Sequence, residues 1–199
     1  MREIIAGAHW RETAANAFGG QGSMGNGGAM RVAPLGAYFA DDLDRCAAVA
    51  HSSSLVTHTH PEGVAGTIAV AVAAANAWQK RHAPDAERAT KLFEEVLRLT
   101  PESQVRRKLL LAKTTPSDMP IEIVARTLGN GSLVTAPDTV PFCIWMAAHH
   151  LDDFVEALGK TIGAGGDCDT NAAIVGGIVA LSAGREGVPA KWLQDREHI

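Results

Sequence analysis

The chain has 199 residues, 46% of them hydrophobic and 20% charged, a balance that excludes intrinsic disorder and low-complexity character and lets a chain of this length bury about 70% of the surface its unfolded form exposes. A formal net charge of −4 supplies no global field to gather nucleic acid or an acidic membrane surface, so any phosphate has to be met locally. Aromatics at 5% in an alanine-rich chain favour helices over strands. Along the chain, His9, Arg11 and Glu12 interrupt any signal-peptide run after Met1, and Trp10 to Phe18 reads as helical. Gly19 to Gly28 breaks that pattern, and a helix is expected from near Ala29. Asp41-Asp42 stands before an apolar helical run as a cap. Val64 to Trp78 is apolar but shorter than the roughly 20 residues of a membrane span, which predicts a buried core helix. Asp85 to Leu99 places Ala89, Leu92, Phe93, Val96 and Leu97 on one face, and Ile121, Val124, Ala125 and Leu128 repeat that spacing before Gly129-Asn130-Gly131 stops it. Pro141 is expected to open a helix running to Ala148 that is packed on every side. Asp153 and Glu156 have the spacing of a capping box. Gly163 to Gly166 leads into Asp167-Cys168-Asp169-Thr170, and Asn171 to Ala183 reads as a small-residue helix. Pro84, Pro101, Pro116 and Pro120 fall between helices, no strand pattern or repeat develops, and the expectation is one all-α domain over residues 1–199. Three cysteines, Cys46, Cys143 and Cys168, without CxxC spacing, point to free thiols in a reducing, cytoplasmic setting.

Two glycine-rich segments hold the chemistry. In Asp167-x-Asp169-Thr170 two carboxylates and a hydroxyl can converge hard oxygen ligands on a cation such as Mg²⁺. The competing reading is that the acids cap the following helix, whose dipole favours negative charge. Cys168 between them is expected as a spacer turned into the protein. In Phe18 to Arg31, positions without side chains let backbone N–H groups approach an anion, a plausible pyrophosphate cradle aided by the helix near Ala29. Gly20, Gly22 and Gly25 satisfy GxGxxG literally, with Asp41 and Asp42 about twenty residues on, but no strand precedes them and no βαβ alternation follows, so a dinucleotide fold is rejected. His58 and His60 form an HxH pair without a third zinc ligand at a diagnostic spacing. Capping suits the histidine before Pro61, and donation to a phosphate suits His58. His149-His150 suits the negative end of its helix, and GxSxG is absent.

Taken in order, Gly22-Ser23-Met24-Gly25-Asn26-Gly27-Gly28-Ala29-Met30-Arg31, then Thr57-His58, then Leu128-Gly129-Asn130-Gly131, then Gly165-Gly166-Asp167-Cys168-Asp169-Thr170-Asn171 resemble the ADP-ribosylglycohydrolase family, which includes the ADP-ribosyl-acceptor hydrolases and the dinitrogenase reductase-activating glycohydrolase. The resemblance spans nearly the whole chain. It implies an all-α orthogonal helical bundle holding two Mg²⁺ ions, or Mn²⁺ in some members, that orient ribose hydroxyls and a water for hydrolysis of the C1″ glycosidic bond of an ADP-ribosylated protein or small acceptor. By matching position, Asp167, Asp169 and Thr170 would be metal ligands. Gly22, Ser23, Met24, Gly25 and Asn26 would line the pyrophosphate and ribose, with His58 near the phosphates and Phe18 toward the adenine. Two substitutions depart from the pattern: the family usually has Thr at the position of Cys168, and some members have Tyr at that of Met24. The family's chains, near 300 residues, also begin with a Thr-Asp-Asp-Thr metal motif that in several members supplies a catalytic acid. No such motif stands here, so the catalytic residue stays unassigned. The expectation is therefore the C-terminal two-thirds of the family's usual length, an N-terminally truncated version of the fold, with the remaining ligands absent or supplied by a separate N-terminal segment. A non-catalytic module that binds ADP-ribose is the alternative. No nucleic-acid or membrane partner is expected.

Overall fold

The computed structural model describes residues 2–195. Short helices α1 (Arg2–Ile5), α2 (Trp10–Ala15), α3 (Ala17–Gly20), α4 (Gly27–Met30) and α5 (Ala33–Tyr38) lead into the long ones. These are α6 (Leu43–Leu55), α7 (Pro61–Gln79), α8 (Asp85–Leu99), α9 (Gln104–Thr114), α10 (Ile121–Leu128), α11 (Ala136–His149), α12 (Phe154–Gly163) and α13 (Cys168–Ala183). A 3₁₀ turn at Arg185–Gly187 precedes α14 (Ala190–Asp195). Among the described residues there is no strand, only an isolated antiparallel bridge between Gly25 and Thr135. The all-α expectation holds, and no helix is long and apolar enough to cross a membrane among the described residues.

The core is organised around α7. Every residue from Glu62 to Ala77 is buried, as befits a helix apolar on all sides, and α4, α5, α6, α8, α11 and α13 pack on it. Alanine and glycine make this enclosure possible by letting neighbours approach closely. A Cβ on Gly66 would meet the Ala136 Cβ at 2.7 Å, and one on Gly36 of α5 would meet the Ala74 Cβ at 2.8 Å and the Ala71 carbonyl. Fully buried Val70, Val72, Leu92, Leu109, Phe142, Ile144, Trp145 and Ile178 fill the space between helices, each contributing about 1.5–3 kcal/mol by removing apolar surface from water.

Several polar groups inside this frame tie helices together. Glu62, buried near the start of α7, accepts from the amides of Gln104 at 2.7 Å and Val105 at 3.0 Å, tying the first turn of α9 to α7. Buried Arg88 of α8 donates through Nη1 to both Asp152 carboxylate oxygens, at 2.6 and 2.7 Å, and through Nη2 to Ser182 of α13. Asp42 caps α6 and Asp153 caps α12, accepting from Arg45 at 2.9 Å and Glu156 at 2.8 Å. The capping box is only half made, because Glu156 pairs instead with Lys160 at 2.8 Å.

Two boundaries differ from the sequence reading. The helix expected from Pro141 begins five residues earlier, at Ala136, with Pro137 in its first turn and Pro141 inside it. Pro141 cannot donate to the Pro137 carbonyl and its ring crowds that carbonyl, a cost that burial of Phe142 to Ala148 outweighs. The helix expected near Ala29 is the four-residue α4, too short to bring a helix dipole to the glycine loop.

Candidate functional site

The glycine loop leaves α2 through a left-handed turn, with Phe18 at φ +55° and Gly19 at φ +69°. It crosses the start of α7 closely: Gly22 adopts φ +74°, and a Cβ there would meet the His60 amide nitrogen at 2.7 Å. The loop then pairs with the segment before α11. The Ala136 amide donates to the Met24 carbonyl at 2.9 Å and the Asn26 amide to the Val134 carbonyl at 3.3 Å, while the Ser23 hydroxyl accepts from the Gly25 amide at 3.2 Å. Between these walls lies a cavity of about 590 Å³. Phe18, Gly22, Ser23, Met24, Gly25, Asn26 and His58, all singled out from the sequence, line it together. Gln21, Gly27, His60, Leu133, Val134 and Thr135 complete it. The last three come after the Leu128-Gly129-Asn130-Gly131 motif and Ser132, with no chemical signal of their own in the sequence.

Phe18 and Val134, at φ +56°, are the non-glycine residues with positive φ among those described, and both face this cavity. For a β-branched residue that conformation costs on the order of 1–2 kcal/mol. The Val134 amide is held on the Gly131 carbonyl at 2.7 Å, the Gly131 amide on the Asp138 carbonyl at 2.9 Å, and the Leu133 amide on the Asp138 carboxylate at 2.9 Å. Two strained residues in the lining of one cavity are a mark of a functional surface.

The acidic motif lies against the far side of Asn26. Gly165 and Gly166, at φ +70° and +76°, turn the chain into α13, and a Cβ on Gly166 would meet the Asn130 Cγ at 2.6 Å. The Asp167 amide and the Asn171 side chain both donate to the Asn130 carbonyl, at 3.2 and 2.7 Å, knitting two of the sequence motifs together. Asp167 occupies the N-cap of α13 without a side-chain capping bond. Its carboxylate instead accepts from the buried Asn26 amide at 2.7 Å, and the same amide reaches the Thr139 hydroxyl at 3.0 Å. At this N-cap the Asp167 carboxylate makes no hydrogen bond to the helix amides and bonds across the fold instead. Asp169 is exposed, and side-chain hydrogen bonding shared with Asp167, then the Thr170 amide at 2.9 Å, holds it below the ordinary carboxylate range. Buried Thr170 spends its hydroxyl proton on the Met30 sulfur at 3.4 Å, which leaves the lone pairs of its oxygen as acceptors. Cys168, expected to turn into the protein, is half-buried and leans on the Ile162 carbonyl at 3.6 Å. The donor set of Asp167, Asp169 and Thr170 is all hard oxygen, and two carboxyls in contact are a natural seat for a divalent cation. Among the described residues, no third His, Cys, Asp or Glu joins them within reach of one metal ion.

The two histidines of the HxH pair divide. His60 caps α7, its Nδ1 accepting from the Glu62 amide at 3.1 Å. His58 turns the other way: a Cβ on Gly25 would stand 3.4 Å from its Nε2 and one on Gly27 3.2 Å. These glycines therefore seat an imidazole as well as baring backbone. Burial, and then the nearby Arg31 charge, hold His58 below the ordinary histidine value of 6.5, so the ring is neutral.

Comparison with known proteins gives the lineage. The model of the family described as ADP-ribosylglycohydrolase matches residues 2–199. An uncharacterized protein of Archaeoglobus fulgidus is 34% identical over all of this chain and 61% of its own length. ADP-ribosylhydrolase ARH3 of Gallus gallus is 31% identical over 94% of this chain and 57% of its own, and that of Danio rerio 28% identical over 88% and 54%. The chain thus spans between half and two thirds of the length of these relatives. On these matches and on the all-α fold, the chain belongs to the ADP-ribosylglycohydrolase family.

Proposed function

We propose that this chain forms the larger part of a hydrolase that releases ADP-ribose from a protein side chain or small acceptor by cleaving its glycosidic bond, as a single domain over residues 1–199. The observation that carries this reading is Asn26, a residue of the cavity lining whose side-chain amide bonds Asp167. A nucleotide-sized cavity and a pair of carboxylates are thereby neighbours in one site. The cavity supports a diphosphate bound by backbone N–H groups of Gly22 to Asn26, with Phe18 offering a ring face to the adenine. Asp167, Asp169 and Thr170 would hold Mg²⁺ or Mn²⁺. When bound, such a cation supplies Lewis-acid stabilisation of developing charge. Asn26 fixes the Asp167 carboxylate in place, and Asp169 stays ionised at neutral pH.

The test is Mg²⁺-dependent release of free ADP-ribose from an ADP-ribosylated peptide, measured by mass spectrometry. Asp169→Ala is expected to abolish release, and unchanged turnover in that variant refutes the metal role. A second reading, a module that binds ADP-ribose without cleaving it, is favoured by one observation: two carboxylates and a hydroxyl are few for the coordination of two adjacent dications. Mg²⁺-indifferent ADP-ribose affinity without release of product selects that reading.

A further inference from the structure

Behind His58 stands a relay that the functional reading above leaves unused. Its Nδ1 lies 2.7 Å from the Thr57 hydroxyl oxygen, and the Arg31 guanidinium lies 2.8 Å from that oxygen on the other side. Arg31 reaches this point from the end of α4, where it also donates to the Ser53 carbonyl at 3.2 Å. A guanidinium only donates, so it takes a lone pair of the Thr57 oxygen. The positive charge then favours a hydroxyl proton pointing away from it, toward Nδ1, and disfavours a second N–H aimed at the same oxygen. With Nδ1 as acceptor, the single proton of the neutral ring sits on Nε2. Nε2 is the nitrogen beside Gly25 and Gly27, on the ring that lines the cavity, and no protein acceptor reaches it among the described residues.

We infer that Arg31 acts as a positioning residue, fixing His58 through the Thr57 hydroxyl as a neutral Nε2–H donor aimed into the cavity, where it meets an anionic oxygen of the ligand. The class of group it suits is a phosphoryl oxygen of a nucleoside diphosphate. This orientation deepens the proposed function and rests on it for the ligand's identity alone. A neutral donor held in one tautomer offers a directed hydrogen bond, whereas an imidazolium would offer charge from both nitrogens.

Long-range ¹H–¹⁵N correlation spectra of the ¹⁵N-labelled chain at pH 8, without ligand, read the tautomer directly, and His58→Gln assigns the resonances. The expected pattern is protonated Nε2 and an Nδ1 shifted as a hydrogen-bond acceptor. Thr57→Val removes the hydroxyl at nearly constant shape and is expected to relax the ring to a mixture of tautomers, Arg31→Met to do so partly, and Thr57→Ser to keep the original pattern. Calorimetric titration with ADP-ribose is expected to show affinity lower by roughly 3- to 10-fold in Thr57→Val and restored in Thr57→Ser. An Nδ1–H ring in the unaltered chain, or a Thr57→Val spectrum superimposable on it, overturns the relay. The relay intact with unchanged affinity in Thr57→Val overturns the donor role. If the spectra agree but the unaltered chain takes up no ADP-ribose, the ligand assigned under the proposed function fails, and the spectra by themselves uphold the relay.

Discussion

At the scale of single residues, Asn26 is where the two halves of the site depend on each other. Its buried amide satisfies Asp167 and Thr139 at once, so a change there disturbs both the cavity wall and the carboxylate. Asn26→Asp keeps the shape but sets a further carboxylate, besides Asp169, against Asp167 where a donor stood. We predict a loss of about 2 kcal/mol in stability to urea, from the lost charged hydrogen bond and like-charge contact, and a midpoint equal to that of the unaltered chain would contradict the geometry. The residues legible in sequence were those whose signal is local: a glycine run, a DxDT, a histidine before a helix start. Leu133, Val134 and Thr135 were not, because they enter the site only when the loop before α11 pairs with Met24 and Asn26, a contact between segments more than a hundred residues apart. Nor was the second duty of Gly25 and Gly27, since making room for His58 requires knowing what packs on them.

Among the elements, α7 is the post around which the others are set. Its composition made it readable, for an apolar helix with no polar face has to be enclosed. The length of α11 was not readable from Pro141, because proline rules describe isolated helices and α11 is held by tertiary burial on all sides. The crossing of α5 on α7 depends on Gly36, where an added Cβ would press on the Ala71 backbone carbonyl, which cannot rotate away as a side chain would. Gly36→Ala is therefore expected to destabilise the fold by about 1–3 kcal/mol through overpacking, despite alanine's better helix propensity. Differential scanning calorimetry decides the sign, and a raised Tm would show that the helices separate freely.

For the whole molecule, stability should carry the imprint of histidines kept neutral. Burial lowers both His58 and His149 from 6.5, aided by Arg31 and His150 respectively. The unfolded chain then binds protons more readily than the folded one, so folding is favoured fully above the unfolded value and weakens as pH falls through it. Urea midpoints are expected to drop between about pH 7.5 and 5.5, and the drop should shrink in the double variant His58→Gln/His149→Gln. An identical pH slope in that variant would contradict the assignment.

The central claim is that a nucleotide diphosphate and a divalent cation share one site, on either side of Asn26. Crystals grown with ADP-ribose and Mn²⁺ test it most directly, through anomalous difference maps. ADP-ribose is expected in the cavity between the glycine loop and residues 133–135, with a manganese peak in contact with Asp167 and Asp169. Nucleotide bound elsewhere, or saturating manganese that leaves those two carboxylates bare, would contradict it.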